Sequence, residues 1–243
     1  MIDLLEPLII LALILFQSIF GIGLLMFGTP TFILLGYNFP ETLALLLPIS
    51  LLISTLQFFL SNKKDKSFLL DFNLFCLPFL IISLCIILSI HELVDFKLYT
   101  SLIIIFFSVM SLFKNKLKFK NKISKIPRKI ILVLIGTIHG LTNLGGSLLA
   151  IFSTIISNSN KDLSRYFISY GYMIMSIIQI TILYFFEKQY FDYKNIYYLT
   201  IVVIVYLPIQ KFFQNFDNRK FSKIINILAL FYGFNIFISS FFN

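Results

Sequence analysis

Read from the N-terminus, the chain is a succession of long apolar runs separated by short charged clusters. The runs cover residues 4–36, 41–61, 68–90, 98–113, 130–157, 166–186, 194–214 and 222–242. Crossing about 30 Å of hydrocarbon takes roughly 20 apolar residues at 1.5 Å each, so the pattern predicts about eight transmembrane helices. A transmembrane barrel would need alternating segments instead of continuous runs. The expected fold is therefore all-α and polytopic, with nothing left over for a soluble catalytic domain.

Two runs are irregular. The first is too long for one straight span and carries Gly21, Gly23, Gly28 and Pro30 in its second half; the fifth contains Gly140, Gly145 and Gly146. Both predict interrupted helices, either kinked spans or re-entrant hairpins. A hairpin would reverse the sidedness of everything after it.

Composition agrees with lipid as the solvent. Hydrophobic residues make up 58% of the chain and charged ones 13%, about half the charged fraction a water-soluble surface needs. The net charge of +9 invites a nucleic-acid reading, but Lys and Arg collect in cytoplasmic loops of membrane proteins for reasons of insertion, and no nucleic-acid partner is expected. With eight simple crossings, Lys63, Lys64, Lys66, the eight cations of 114–129, Lys188 and Lys194 share one side. Lys97, Lys161, Arg165, Lys211, Arg219, Lys220 and Lys223 share the other. That bias predicts cytoplasmic termini. The opening Met1-Ile-Asp-Leu-Leu-Glu6 has no basic stretch before its apolar run, which predicts a retained first helix. Cys76 and Cys85 fall on opposite faces of one helix and cannot pair.

The basic segment 114–129 lies near the middle of the chain, and the two flanking parts match in order. Phe20-Gly21 meets His139-Gly140, Ser54-Thr-Leu-Gln57 meets Ser176-Ile-Ile-Gln179, Asp71-Phe-Asn73 meets Asp192-Tyr-Lys-Asn195, and Asp95-Phe-Lys-Leu-Tyr99 meets Asp217-Asn-Arg-Lys-Phe221. This predicts a four-helix repeat at 1–113, a basic cytoplasmic connector at 114–129 and a second four-helix repeat at 130–243. Four crossings per half would make the halves run in the same direction.

The residues that carry chemistry are few. There is no H-E-x-x-H, G-x-S-x-G or G-x-x-x-x-G-K-[ST] pattern, so neither an enzyme, a metal site, a cofactor nor direct ATP drive is expected. His91 lies in a polar turn, whereas His139 lies inside an apolar run, where an ionisable group faces a cavity or a partner helix. It directly precedes the break Gly140-Leu-Thr-Asn143-Leu-Gly145-Gly146. Interrupted helices leave backbone groups to be satisfied, and exposed helix N-termini attract anions; the alternative use of such glycines is close helix packing. Ser54 with Gln57, and Ser176 with Gln179, each share a helix face. They offer neutral donors to a cavity or polar contacts between helices. Asp71 and Asp192 are read as helix caps, Pro48, Pro78 and Pro208 as kinks, and the tyrosines from Tyr184 to Tyr206 as interface anchors.

Phe20-Gly-Ile-Gly-Leu-Leu-Met-Phe-Gly-Thr-Pro30 followed by Gly36, and Gly136 to Gly146 followed by the polar turn Asn158 to Arg165, resemble the sulfite exporter TauE/SafE family, also called the toluene sulfonate uptake permease family. Leu24 to Phe27 separate Gly23 from Gly28 where that family has a denser glycine run, as in a divergent member. The resemblance implies a multi-pass permease of the bacterial inner membrane for sulfite, a sulfonate or a related organosulfur or carboxylate anion. The expected site lies between the halves, at Gly21, Gly23, Gly28, Pro30, Ser54, Gln57, His139, Gly140, Asn143, Gly145, Gly146, Ser176 and Gln179. The expected partners are the small anion, a coupling proton or sodium ion, and membrane lipid. A non-transporting membrane scaffold is the rival expectation.

Overall fold

A computed structural model describes residues 2–61, 65–91, 127–157, 160–192 and 195–214. The fourth and eighth apolar runs, most of the basic connector and the matches at Asp95–Tyr99 and Asp217–Phe221 lie outside the described residues. Within them all regular structure is helical, and three helices are long and apolar enough to cross a membrane: Phe39–Phe59, Lys66–Ile90 and Asp162–Phe186.

The first run is a hairpin. Helix α1 (Ile2–Phe20) ends where Gly21 and Gly23 take φ of 75° and 124°, a left-handed backbone that glycine adopts without a Cβ clash. Helix α2 (Leu24–Leu34) then returns alongside. Phe27 packs edge-on against Phe16, ring centroids 5.2 Å apart, and a Cβ on Gly28 would stand 3.0 Å from Leu13 Cδ1. At the far end of α2 the Tyr37 N–H reaches the Phe32 carbonyl and the Gly36 N–H that of Ile33. This is a Schellman stop with Gly36 at φ 98°. Asn38 then opens α3 (Phe39–Phe59) with a capping box to Glu41.

The third run bends instead of reversing. Asp65 caps α4 (Lys66–Phe75) by accepting from Ser67 and Phe68, and α5 (Leu77–Ile90) carries Pro78 in its first turn. Asp71, expected as a cap, lies within α4 and pairs with Arg128, 3.2 Å away, because the helix starts two residues before the apolar run does. Cys76 at the bend and Cys85 are both free thiols.

The fifth run is the second hairpin, α6 (Arg128–Thr142) and α7 (Gly146–Ile156), turning at Asn143 with φ 60°. Asn160 caps α8 (Lys161–Phe186). A 3-10 turn at Lys188–Tyr190 leads to α9 (Asn195–Gln214).

Contacts fix the helix directions. Phe58 stacks on Tyr166 near the start of α8, while Asn38, at the opposite end of α3, donates to Tyr190 just past the end of α8. Helices α3 and α8 are therefore antiparallel. We call the Asn38 end of the bundle upper and the Phe58 end lower. Tyr198 meets Glu6 and Gln210 meets Ser18, so α1 and α9 both descend. Gly136 faces Cys76 and Gly140 faces Leu80 and Ser83, so α5 and α6 both rise.

The first hairpin thus enters from the upper end and the second from the lower. The helices that the sequence match pairs, α1 with α6 and α3 with α8, run in opposite directions. The expectation of halves running the same way is overturned, because each Gly-rich run returns to its own side and each half loses one crossing.

Candidate functional site

Each short return helix begins deep in the bundle. Helix α2 has 11 residues, about 16 Å at the helical rise, or about half a bilayer core; α7 has the same length. Gly28 packs on Leu46 near the middle of α3, and Gly146 on Tyr172 near the middle of α8. Neither N-terminus carries a side-chain cap, the N-cap residues being Gly23 and Gly145. Two helix N-termini without side-chain caps therefore lie near mid-depth, the Ser147 N–H of the second donating to the Leu144 carbonyl.

At the first break the last carbonyls of α1 are held by side chains. Gln57 Nε2 donates to the Gln17 carbonyl at 2.9 Å. Gln210 Nε2 donates to the Ser18 carbonyl at 3.0 Å, and Arg165 Nη2 to the same oxygen at 3.2 Å and to Gln210 Oε1 at 2.8 Å. Gln17 Nε2 in turn donates to Ser50 Oγ at 3.1 Å and Ser54 Oγ at 3.2 Å. A helix end left unsatisfied here would cost about 1–3 kcal/mol per group. The Arg165 cation also meets the negative end of the α1 dipole and lies beside the buried Tyr206.

The second break carries a chain of hydrogen bonds across both halves. Asn143 Nδ2 donates to Thr29 Oγ1 of α2 at 3.0 Å, Gln179 Nε2 to Asn143 Oδ1 at 3.4 Å, and His139 Nε2 faces Gln179 Oε1 at 3.1 Å. With the amides oriented this way, Nε2 of His139 is the protonated nitrogen. His139, Gln179, Asn143 and Thr29 are all 0% exposed.

The structure spreads the expected site residues from the lower end of the bundle to beyond mid-depth. Gln57 lies in the last turn of α3 and Ser54 one turn deeper, while Gln179 lies in the upper half of α8; their hydrogen bonds are made to protein, holding the breaks in shape. Gly21 lies against Gln57 Oε1, Arg165 and Ile168, and Gly23 against Phe16. Gly28 and Pro30 lie inside α2, both buried. Gly140 faces away, onto α5, where an added Cβ would stand 2.6 Å from the Leu80 carbonyl. Gly145 lets α7 approach α6, its Cβ position being 2.6 Å from His139 Cβ. Ser176 is buried, and among the described residues its Oγ has no partner.

Sequence reading missed Gln17, Ser18, Thr29, Arg165 and Gln210. Gln17 and Ser18 were visible as polar residues just before a glycine break. Arg165 was counted as a loop charge, although it belongs to the second turn of α8. Two tyrosines read as interface anchors are instead buried: Tyr206 beside Arg165, and Tyr198, which donates to Glu6 at 2.7 Å. Tyr37 donates to the other Glu6 oxygen, and burial, then that carboxylate, push its phenol above the ordinary tyrosine range.

Two opposed helical hairpins with polar tips buried among long apolar helices define a polytopic membrane protein. The chain belongs to the sulfite exporter TauE/SafE family, which it matches over residues 7–236. No curated protein and no solved structure matches it.

Proposed function

We propose that the protein is a permease for a small anion, of the sulfite, sulfonate, organosulfur or carboxylate class, held between the two breaks during passage. The observation that carries this reading is the pair of uncapped half-helix N-termini at mid-depth, with Arg165 bound to the end of α1 just ahead of the first of them. First-turn amides and a cation are what an anion gains on leaving water. Transport is secondary, drawing on a proton or sodium gradient. The opposed hairpins and the exchanged pairings, α1 with α9 and α6 with α5, support reading the two halves as inverted repeats.

The same topology supports a revised orientation. With both hairpins returning to their own side, and 98–113 read from its apolar pattern as a crossing, this topology assigns Lys97, Lys188 and Lys194 to the upper side. The other seventeen of the 20 Lys and Arg belong to the lower end. The lower end is then cytoplasmic by the positive-inside rule. The N-terminus faces outward across the inner membrane, as does the C-terminus if 222–242 crosses.

The test is flux. Proteoliposomes should take up labelled sulfite, a sulfonate or a small carboxylate with saturable kinetics, and Gly145→Val with Gly146→Val should abolish it. Unchanged flux in a correctly inserted double variant would remove the proposed site. No flux for any anion, with one protein co-purifying stably, would favour a scaffold.

A further inference from the structure

Among the described residues the first break holds two buried glutamine oxygens with no hydrogen-bond donor, beside the Ser18 hydroxyl, which also has no partner there. The Gln57 amide is fixed in orientation, since its nitrogen donates to a backbone carbonyl that can only accept. Its oxygen therefore stands as an acceptor, and among the described residues nothing donates to it. Gln17 is oriented by the Ser50 carbonyl, 3.4 Å from its nitrogen, the Ser50 and Ser54 hydroxyls accepting from the same nitrogen, and its Oε1 has no donor among the described residues. Gln57 is 3% exposed and Gln17 0%, so bulk water does not serve either oxygen. Gln57 Oε1 lies 3.6 Å, and Arg165 Cγ 3.8 Å, from where a Cβ on Gly21 would stand. Gln57 Oε1 and the Arg165 side chain thus border the same turn, the Arg165 guanidinium reaching the Ser18 carbonyl just before it.

A ligand bearing only acceptors would meet Arg165 and the amides well but would leave both glutamine oxygens unsatisfied or repelled. A ligand with one negative charge and an O–H or N–H group would satisfy both sets. We infer that the first break binds its anion against Arg165 and reads a hydrogen-bond donor on it through Gln57 Oε1 and Gln17 Oε1, so that donor-bearing monoanions are the preferred cargo. This rests on the permease reading and narrows its substrate class. Arg165 has no cationic counterpart in the repeat, since the Ser54–Ser176 match sets Leu43 opposite it, and charge selection is placed at the first break alone.

The experiment is a binding titration of the purified full-length protein, followed by thermal stabilisation, with hydroxyethanesulfonate and ethanesulfonate as probes. These share charge and headgroup and differ by one hydroxyl. The hydroxylated probe should bind about tenfold more tightly, the usual worth of satisfying a buried acceptor. Gln57→Met or Gln17→Met should narrow that ratio towards one with the ethanesulfonate affinity kept, and Arg165→Gln should weaken both probes. Equal affinities in the unaltered protein, binding of neither probe, or a ratio untouched in both methionine variants would overturn the inference. An intact ratio without flux in proteoliposomes would instead sink the permease reading and leave the binding preference standing.

Discussion

Gln179 shows how one side chain holds a broken helix in place inside lipid. Its oxygen faces the His139 ring and its nitrogen the Asn143 side chain, and Asn143 passes the connection to Thr29 in the other hairpin. All four residues are 0% exposed, so bulk water does not replace a lost partner. Gln179→Leu should therefore strand the His139 N–H and Asn143 Oδ1 together. The expected loss is about 1–3 kcal/mol of stability, read as a lower unfolding temperature in detergent, with flux reduced at least tenfold in proteoliposomes. Flux at the original level would show that the chain of hydrogen bonds from His139 to Thr29 is dispensable.

Among the elements, the Gly-rich runs divide their glycines between two jobs that residue type alone does not separate. Gly21 and Gly23 make the reversal possible through positive φ. Gly136 and Gly140 instead let α6 lie on α5, where an added Cβ would press on the Cys76 and Leu80 carbonyls. Backbone carbonyls cannot rotate away as a side chain can, so Gly136→Ala must part the two helices, at about 1–3 kcal/mol. Ser89→Ala on the exposed face of α5 removes only a local bond to the Cys85 carbonyl and should stay within about 0.5 kcal/mol. Comparable unfolding temperatures for the two variants would refute the packing role.

The same contrast explains what was legible in advance. Run lengths, the breaks and the polar residues His139, Gln57 and Gln179 could be read along the chain, because each is a local departure from apolar sequence. The reversal could not, since a kinked span and a hairpin use the same residues. What decides between them is the pairing of Phe16 with Phe27 and the meeting of Glu6 with Tyr37. Arg165 escaped for a related reason: its importance lies in reaching the end of α1, 147 positions away in sequence.

For the whole molecule, the two hairpins decide which way the protein faces, and orientation is the property most easily inverted by a wrong count. Treating both Gly-rich runs as crossings splits the cations less evenly than chance but leaves a basic loop outside. Treating them as hairpins leaves Lys97, Lys188 and Lys194 as the outer cations, a far stronger bias of the kind insertion follows. The two topologies make opposite statements about particular loops. Tyr37 and Gln189 belong to the upper end and Ser61 and Asn160 to the lower, each at or beside a helix terminus. In a background with Cys76→Ser and Cys85→Ser, a single Cys at Gln189 or in place of Tyr37 should react with a membrane-impermeant maleimide added to intact cells. A Cys at Ser61 or Asn160 should react only after permeabilisation. Simple crossings would put Tyr37 outside and Gln189 inside, so labelling of one upper site without the other would reject the hairpin topology. Reaction of Ser61 and Asn160 from outside, with both upper sites protected, would keep the hairpins and reverse the protein in the membrane. It would also turn the Arg165 end of the bundle towards the exterior.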